Sequence, residues 1–79
     1  MKVKVQYFAI LREQRGLSAE TLETDAETAR ALYEELQNKH SFSLKPELVK
    51  ASINLQFSPL ETALQEGDQI VFIPPVAGG

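Results

Sequence analysis

Cysteine is absent from the chain, and methionine occurs once, at position 1. That excludes a disulfide framework, a zinc knuckle and a thiol nucleophile, and it leaves packing alone to hold 79 residues together. Basic charge is in short supply as well: eight Lys and Arg stand against eleven Asp and Glu, a net charge of −3. This is the wrong sign for a surface that tracks a phosphate backbone, so no nucleic-acid partner is expected. No apolar run approaches the roughly 20 residues that span a bilayer, and no charged-then-apolar leader precedes the first strand. No membrane partner is therefore expected, and the cytoplasm is the expected compartment. Glycine-rich phosphate loops and paired metal-ligand spacings are also missing, so neither a metal nor a bound cofactor is expected.

What is present suits a folded domain. Apolar residues make up 43% and charged residues 24% of the chain, which argues against wholesale disorder. A domain of this size buries only about 60 to 65% of its unfolded surface, enough for one small core. Lys2 to Phe8 alternates polar and apolar, which predicts a half-buried strand with Val3, Val5 and Tyr7 on one face and Phe8 starting toward the other. Ala9 to Arg15 has helical composition and stops at Gly16; Ala19 to Glu23 then reads as a second strand returning beside the first. Thr24 and Glu27 have the spacing of a capping box, with Asp25 and Thr28 as competing caps, ahead of apolar residues at Ala29, Leu32, Tyr33 and Leu36. That spacing predicts a helix laid across a sheet, ending between Asn38 and Ser43, with Glu35 and Lys39 paired on its wet face for about 0.2 to 0.5 kcal/mol. Leu48 to Ile53 reads as a third strand, Asn54 as a left-handed turn residue, Leu55 to Phe57 as a brief fourth strand, and Pro59 to Ala63 as a short helical turn. Gln69 to Ile73, after the Glu66-Gly67-Asp68 turn, is apolar on both faces as a central strand would be, and Pro74-Pro75 ends it. The order implies an α+β domain over residues 1–74, a mixed sheet of four to five strands with one main helix across one face, and an extended tail over residues 75–79. If the first and last strands are central neighbours, their far faces gather Phe8, Val71 and Ile73 with no second helix to cover them, a face suited to a partner.

Side-chain catalysis is not expected. The one histidine, His40, falls just past the main helix, where a solvent-facing imidazole near the carbonyl end is the plain reading. Glu34 and Glu35 are adjacent on a helix and diverge by about 100°, which makes them a solvated face rather than an acid/base pair. The chain's end is more informative. From Gln69 onward no side chain ionises, and the last residues are Pro74-Pro75-Val76-Ala77-Gly78-Gly79. A final Gly-Gly alone arises by chance in about one chain in 200 and fits a floppy end. The diproline adds a stiff extended exit, Val76 and Ala77 are small, and glycines without Cβ atoms fit a narrow channel. Such a tail suits insertion into another protein's active site, where a group must approach the backbone carboxylate of Gly79 closely and Gly78 keeps that path open. A free carboxylate is a poor electrophile, so activation, commonly as an acyl adenylate made from ATP, would fall to a separate enzyme.

Tyr7-Phe8-Ala9 with Leu11-Arg12-Glu13, then Ile53-Asn54, Gly67-Asp68 and the Pro-Pro-Val-Ala-Gly-Gly ending, together resemble the ubiquitin-like sulfur carriers of the β-grasp fold that form the small subunit of molybdopterin synthase. The likeness covers the whole chain; Gly67-Asp68 and the double glycine are shared with carriers for thiamine and transfer-RNA thiolation, while the diproline ending is more specific. The resemblance implies that an E1-like adenylyltransferase activates Gly79 with ATP, that sulfur converts it to a thiocarboxylate, and that the tail enters the large synthase subunit. There it would supply dithiolene sulfur to cyclic pyranopterin monophosphate, in a heterotetramer of two small and two large subunits. The absence of cysteine agrees, because no internal thiol can intercept the activated end. The family's apolar contact surface maps onto Phe8, Phe57 and Ile73, beside the tail residues Pro74, Pro75, Val76 and Ala77; Ile73 replaces an aromatic frequent there, which removes ring stacking but not apolar burial. Ordinary sheet packing is the competing reading for Phe8 and more so for Phe57. Other functions compatible with the motifs are a carrier for another pathway, a ubiquitin-like modifier joined to lysines, or, in a different class, an interaction module with an inert tail.

Overall fold

The alternation at the start of the chain builds β1 (Lys2–Tyr7), with Val3, Val5 and Tyr7 buried and Lys2, Lys4 and Gln6 exposed. The structure is a computed structural model that describes residues Met1–Pro75; the sequence expectations for Val76, Ala77, Gly78 and Gly79 fall outside the described residues. After β1, Phe8 remains extended, and α1 (Ala9–Arg15) follows, burying Leu11. Gly16, at φ 82°, closes α1 by donating its N–H to the Arg12 carbonyl at 2.8 Å, a left-handed cap that a Cβ would strain. β2 (Ala19–Glu23) returns antiparallel to β1, as expected.

The main helix, α2 (Ala29–His40), buries the expected residues Ala29, Leu32, Tyr33 and Leu36. Of the candidate caps Thr28 is the one used, its Oγ1 accepting from the Ala31 N–H at 3.1 Å. Thr24 does something else: its hydroxyl accepts from the Ala26 N–H at 3.0 Å and donates to Glu35 at 3.0 Å. Glu35 is thereby taken up, and no Glu35–Lys39 ion pair forms among the described residues. The helix ends within the expected window, at Ser41 with φ 58°.

Three boundaries differ from the sequence expectation. Pro46 starts a single 3₁₀ turn, Pro46–Leu48, so β3 covers only Lys50–Ile53. Asn54 and Leu55 both have positive φ, 52° and 72°, which puts Leu55 in the tight loop and moves β4 to Gln56–Ser58. Pro59 does open a hydrogen-bonded turn, its carbonyl accepting from the Thr62 N–H at 3.0 Å, but the turn does not extend into a helix: the Thr62 and Leu60 carbonyls accept instead from the Ala29 and Arg30 N–H groups at 3.2 and 2.8 Å. With Thr28 taking Ala31, this loop satisfies the donors that the start of a helix leaves free.

β5 (Gln69–Ile73) completes a five-stranded sheet in the order β2-β1-β5-β3-β4, parallel between β1 and β5 and antiparallel elsewhere. One face of the central strands carries Val3, Val5, Tyr7, Ile70 and Phe72 against α2. Tyr33 meets Phe72 edge-on at 5.3 Å and stacks with Phe42 at 5.7 Å, and its hydroxyl donates to the Leu44 carbonyl at 2.7 Å, so ring burial leaves no unpaired oxygen.

Two motifs from the sequence meet at one end of the sheet. Asn54 donates its side-chain N–H to Asp68 at 2.9 Å and accepts from the Gln69 N–H at 3.0 Å, while the other Asp68 oxygen accepts from the Gln65 N–H at 2.8 Å. Gly67, at φ 85°, donates its N–H to the Lys2 carbonyl at 2.8 Å. The Ile53-Asn54 and Gly67-Asp68 pairs are thus a clasp that fixes where β5 begins, and hence where it delivers its far end.

Candidate functional site

The far end of β5 and the sheet face opposite α2 form the candidate site. Register places Gln6, Val71, Ser52 and Phe57 in one row across β1, β5, β3 and β4. One step on, Ile73 lies opposite Lys50, and the extended Phe8 (φ −128°, ψ 154°) continues the alternation of β1 onto the same face beside Ile73. Among the described residues no helix covers this face. Phe8 is 43% and Phe57 79% exposed, which for Phe57 eliminates sheet packing as its role; Val71 and Ile73 are half-buried. The sequence expectation of an uncovered Phe8–Val71–Ile73 face is therefore met.

The tail leaves from this edge. Pro74 is buried, which removes its ring from the surface and assigns it to packing at the base of the exit; Pro75 is exposed. Val76, Ala77, Gly78 and Gly79 are outside the described residues.

Phe8 is held in place by its neighbours. Tyr7, on the opposite face, donates its hydroxyl to Glu20 at 2.7 Å, and Arg15 reaches the same carboxylate through two contacts at 2.7 and 2.8 Å. This fork ties the end of α1 to β2 on either side of Phe8. The Arg15 hydrogen bonds hold the Glu20 carboxyl below its ordinary range against an opposing contribution from burial, and burial followed by the Glu20 contact pushes the Tyr7 phenol up. His40 differs from expectation: it is the last residue of α2, half-buried beside the Phe42 ring at 5.9 Å, and burial, then the Arg15 charge, lowers its pKa. It faces no catalytic partner. Glu34 and Glu35 turn to separate partners, Arg30 and Thr24. No group of acidic and histidine side chains that would hold a metal occurs among the described residues, and no described helix is long and apolar enough to cross a membrane.

Sequence reading missed two features of the face. Leu55 was placed in a strand, yet it stands 87% exposed at the hairpin tip. Lys2, Lys4 and Lys50 all lie on the open face, with Glu23 opposite Lys2, which leaves an excess of basic charge there on an acidic chain. Strand parity was the signal that would have found the lysines.

A mixed five-stranded sheet wrapped around one long helix, with an open apolar and lysine-bearing face running to the tail exit, defines a ubiquitin-like β-grasp fold. The ThiS family model matches residues 5–79, and the chain belongs to that family. It is 40% identical over 80 residues to the molybdopterin synthase sulfur carrier subunit of Haemophilus influenzae, with 98% of this chain and 99% of that one covered. Among solved structures, it is similar to a chain of the complex of subunits 1 and 2 of the molybdopterin-converting factor from Helicobacter pylori (28% identity, TM-score 0.67, both chains covered over 100%). It is also similar to small archaeal modifier protein 1 of Methanosarcina acetivorans (28% identity, TM-score 0.77, 99% of this chain and 96% of that one).

Proposed function

We propose that this chain is the sulfur-carrier subunit of a molybdopterin synthase, acting in the cytoplasm. The observation that carries the reading is the likeness to a sulfur carrier subunit over 98% of this chain, together with the family match that runs through Gly78 and Gly79. The open face supports it, because a carrier that hands its end to other proteins needs a docking surface near the start of its tail, and the exposed Phe8 and Phe57 and the half-buried Ile73 lie on the face from which Pro75 leads away.

The chemistry follows from the carboxylate. An E1-like adenylyltransferase joins the Gly79 carboxylate to the α-phosphate of ATP, releasing pyrophosphate. A sulfur donor then displaces AMP, leaving a thiocarboxylate. In the large subunit the thiocarboxylate gives its sulfur to cyclic pyranopterin monophosphate, and the Gly79 carboxylate is regenerated by water. The chain contributes no side chain to these steps; Gly78 keeps the approach open, residues 75–79 serve as the inserted tail, and the synthase is a heterotetramer of two small and two large subunits.

Reconstitution tests this reading. Thiocarboxylated protein mixed with a molybdopterin synthase large subunit and cyclic pyranopterin monophosphate should yield molybdopterin; absence of product with an active large subunit overturns it. The similarity to an archaeal modifier protein favours one second reading, conjugation to lysines. Mass spectrometry separates the two, since a sulfur carrier gains one oxygen-for-sulfur exchange and a modifier yields an isopeptide to another chain.

A further inference from the structure

Leu55 breaks local rules without any return from the fold. Its φ of 72° lies in the left-handed region, which penalises every residue with a Cβ and in which tight hairpin loops place glycine after asparagine. Its side chain is 87% exposed, more than any other large apolar residue described. A rule broken with no structural compensation points to function. The surroundings agree. Leu55 walls a recess of about 70 Å³ on the open face, whose other walls include Lys4, Gln6, Gln69 and Val71. The recess is continuous through Val71 with the Ile73–Phe8 edge, and Phe57 stands two residues beyond Leu55. The charge at its rim is positive: Lys4 makes no ion pair among the described residues. A second copy of the chain fits badly, since a self-complementary contact on this face sets lysines (Lys2, Lys4, Lys50) against lysines of the other copy, while the face's Glu23 is taken up by the N-terminus. A surface of opposite charge with an apolar projection fits well.

We propose that Leu55 and Lys4 form a specificity-determining contact for the synthase large subunit, which places an apolar side chain against Leu55 in the recess and a carboxylate beside Lys4. This rests on the sulfur-carrier reading and adds a contact on the hairpin side of Phe57. Calorimetric titration of the full chain into the large subunit tests it, using wild type, Leu55→Gly, Leu55→Asn and Lys4→Gln, each with a melting temperature. Both Leu55 variants tolerate positive φ, so they should melt at or above the wild-type temperature while binding about fivefold or more weakly. Lys4→Gln should bind more weakly and lose part of the salt dependence. Binding by both folded Leu55 variants within about twofold of wild type overturns the contact alone. Wild-type self-association abolished by Leu55→Gly overturns it in favour of a second copy. A wild-type chain with no affinity for the large subunit overturns the sulfur-carrier reading and this contact with it.

Discussion

Glu20 lies on the inner side of an edge strand, where a carboxylate without partners would not persist. Its three hydrogen bonds, from the Tyr7 hydroxyl and twice from Arg15, make ionisation favourable there, and the carboxyl is held below its ordinary 4.5. Because the folded pKa is below the unfolded one, the contribution to stability is complete above the unfolded value and is lost as pH falls through the folded value. Glu20→Gln should therefore lower the unfolding free energy at neutral pH by about 1 to 3 kcal/mol, and the gap to wild type should narrow as pH drops below about 4. Urea titrations of both proteins across pH 3 to 7 check it; a gap independent of pH contradicts the assignment. This network was not legible in the sequence, since strand parity marks Glu20 as facing inward but says nothing of where the arginine of a neighbouring helix will reach. The positive φ at Leu55 was hidden for a related reason: Asn54 signalled the turn, but the loop ends one residue later than a leucine in a strand-like run suggests.

Helix α2 shows what periodicity can and cannot specify. Its buried face was readable from the spacing of Ala29, Leu32, Tyr33 and Leu36, because a stripe at helical period has one way to pack on a sheet. Its start was not, since Thr24, Asp25 and Thr28 are all competent caps and the choice depends on a distant loop. The Leu60 and Thr62 carbonyls satisfy Arg30 and Ala29, which leaves Ala31 for Thr28 and frees Thr24 to hold Glu35. The same commitment limits Pro59–Ala63 to a single turn, closed by the Thr62 N–H on the Pro59 carbonyl. Thr28→Ala should thus cost about 1 kcal/mol. Thr24→Ala, at another of the three candidate caps, should act instead through the Glu35 and Ala26 bonds and leave α2 capped. Amide hydrogen exchange distinguishes them: protection at Ala31 should fall selectively in Thr28→Ala. β3 and β4 follow the same pattern as α2, their existence legible and their bounds shifted by a 3₁₀ turn and a two-residue loop.

At the scale of the molecule, the buried core and the proposed docking surface occupy opposite faces of one sheet. The inner face holds Val3, Val5, Tyr7, Ile70 and Phe72 essentially without exposure, while Phe57 on the outer face is 79% exposed. Phe57→Ser should accordingly leave the unfolding free energy within about 0.5 kcal/mol of wild type, yet weaken large-subunit binding; a large loss of stability would return Phe57 to the packing role. The outer face was readable from parity at Phe8, Val71 and Ile73, because strand alternation needs no tertiary information. The separation reaches its limit at Gly79. The buried core, the clasp of Asn54 with Asp68 and the caps of α2 all lie before Pro75, so a change at the last residue has no described contact to break. The proposed chemistry, by contrast, depends on that residue wholly: one amino acid added after Gly79 moves the carboxylate onto a new residue and converts the old one into an amide, and Gly79→Ala places a methyl group beside the carbon under attack. Both variants should melt within about 2 °C of wild type. Incubated with the activating enzyme, ATP and a sulfur source, the extended chain should gain no sulfur by mass, and Gly79→Ala should gain it far more slowly. Unchanged sulfur incorporation in the extended chain would place the reactive group elsewhere, and a lowered melting temperature in either variant would mean that the tail belongs to the folded body it is proposed only to leave.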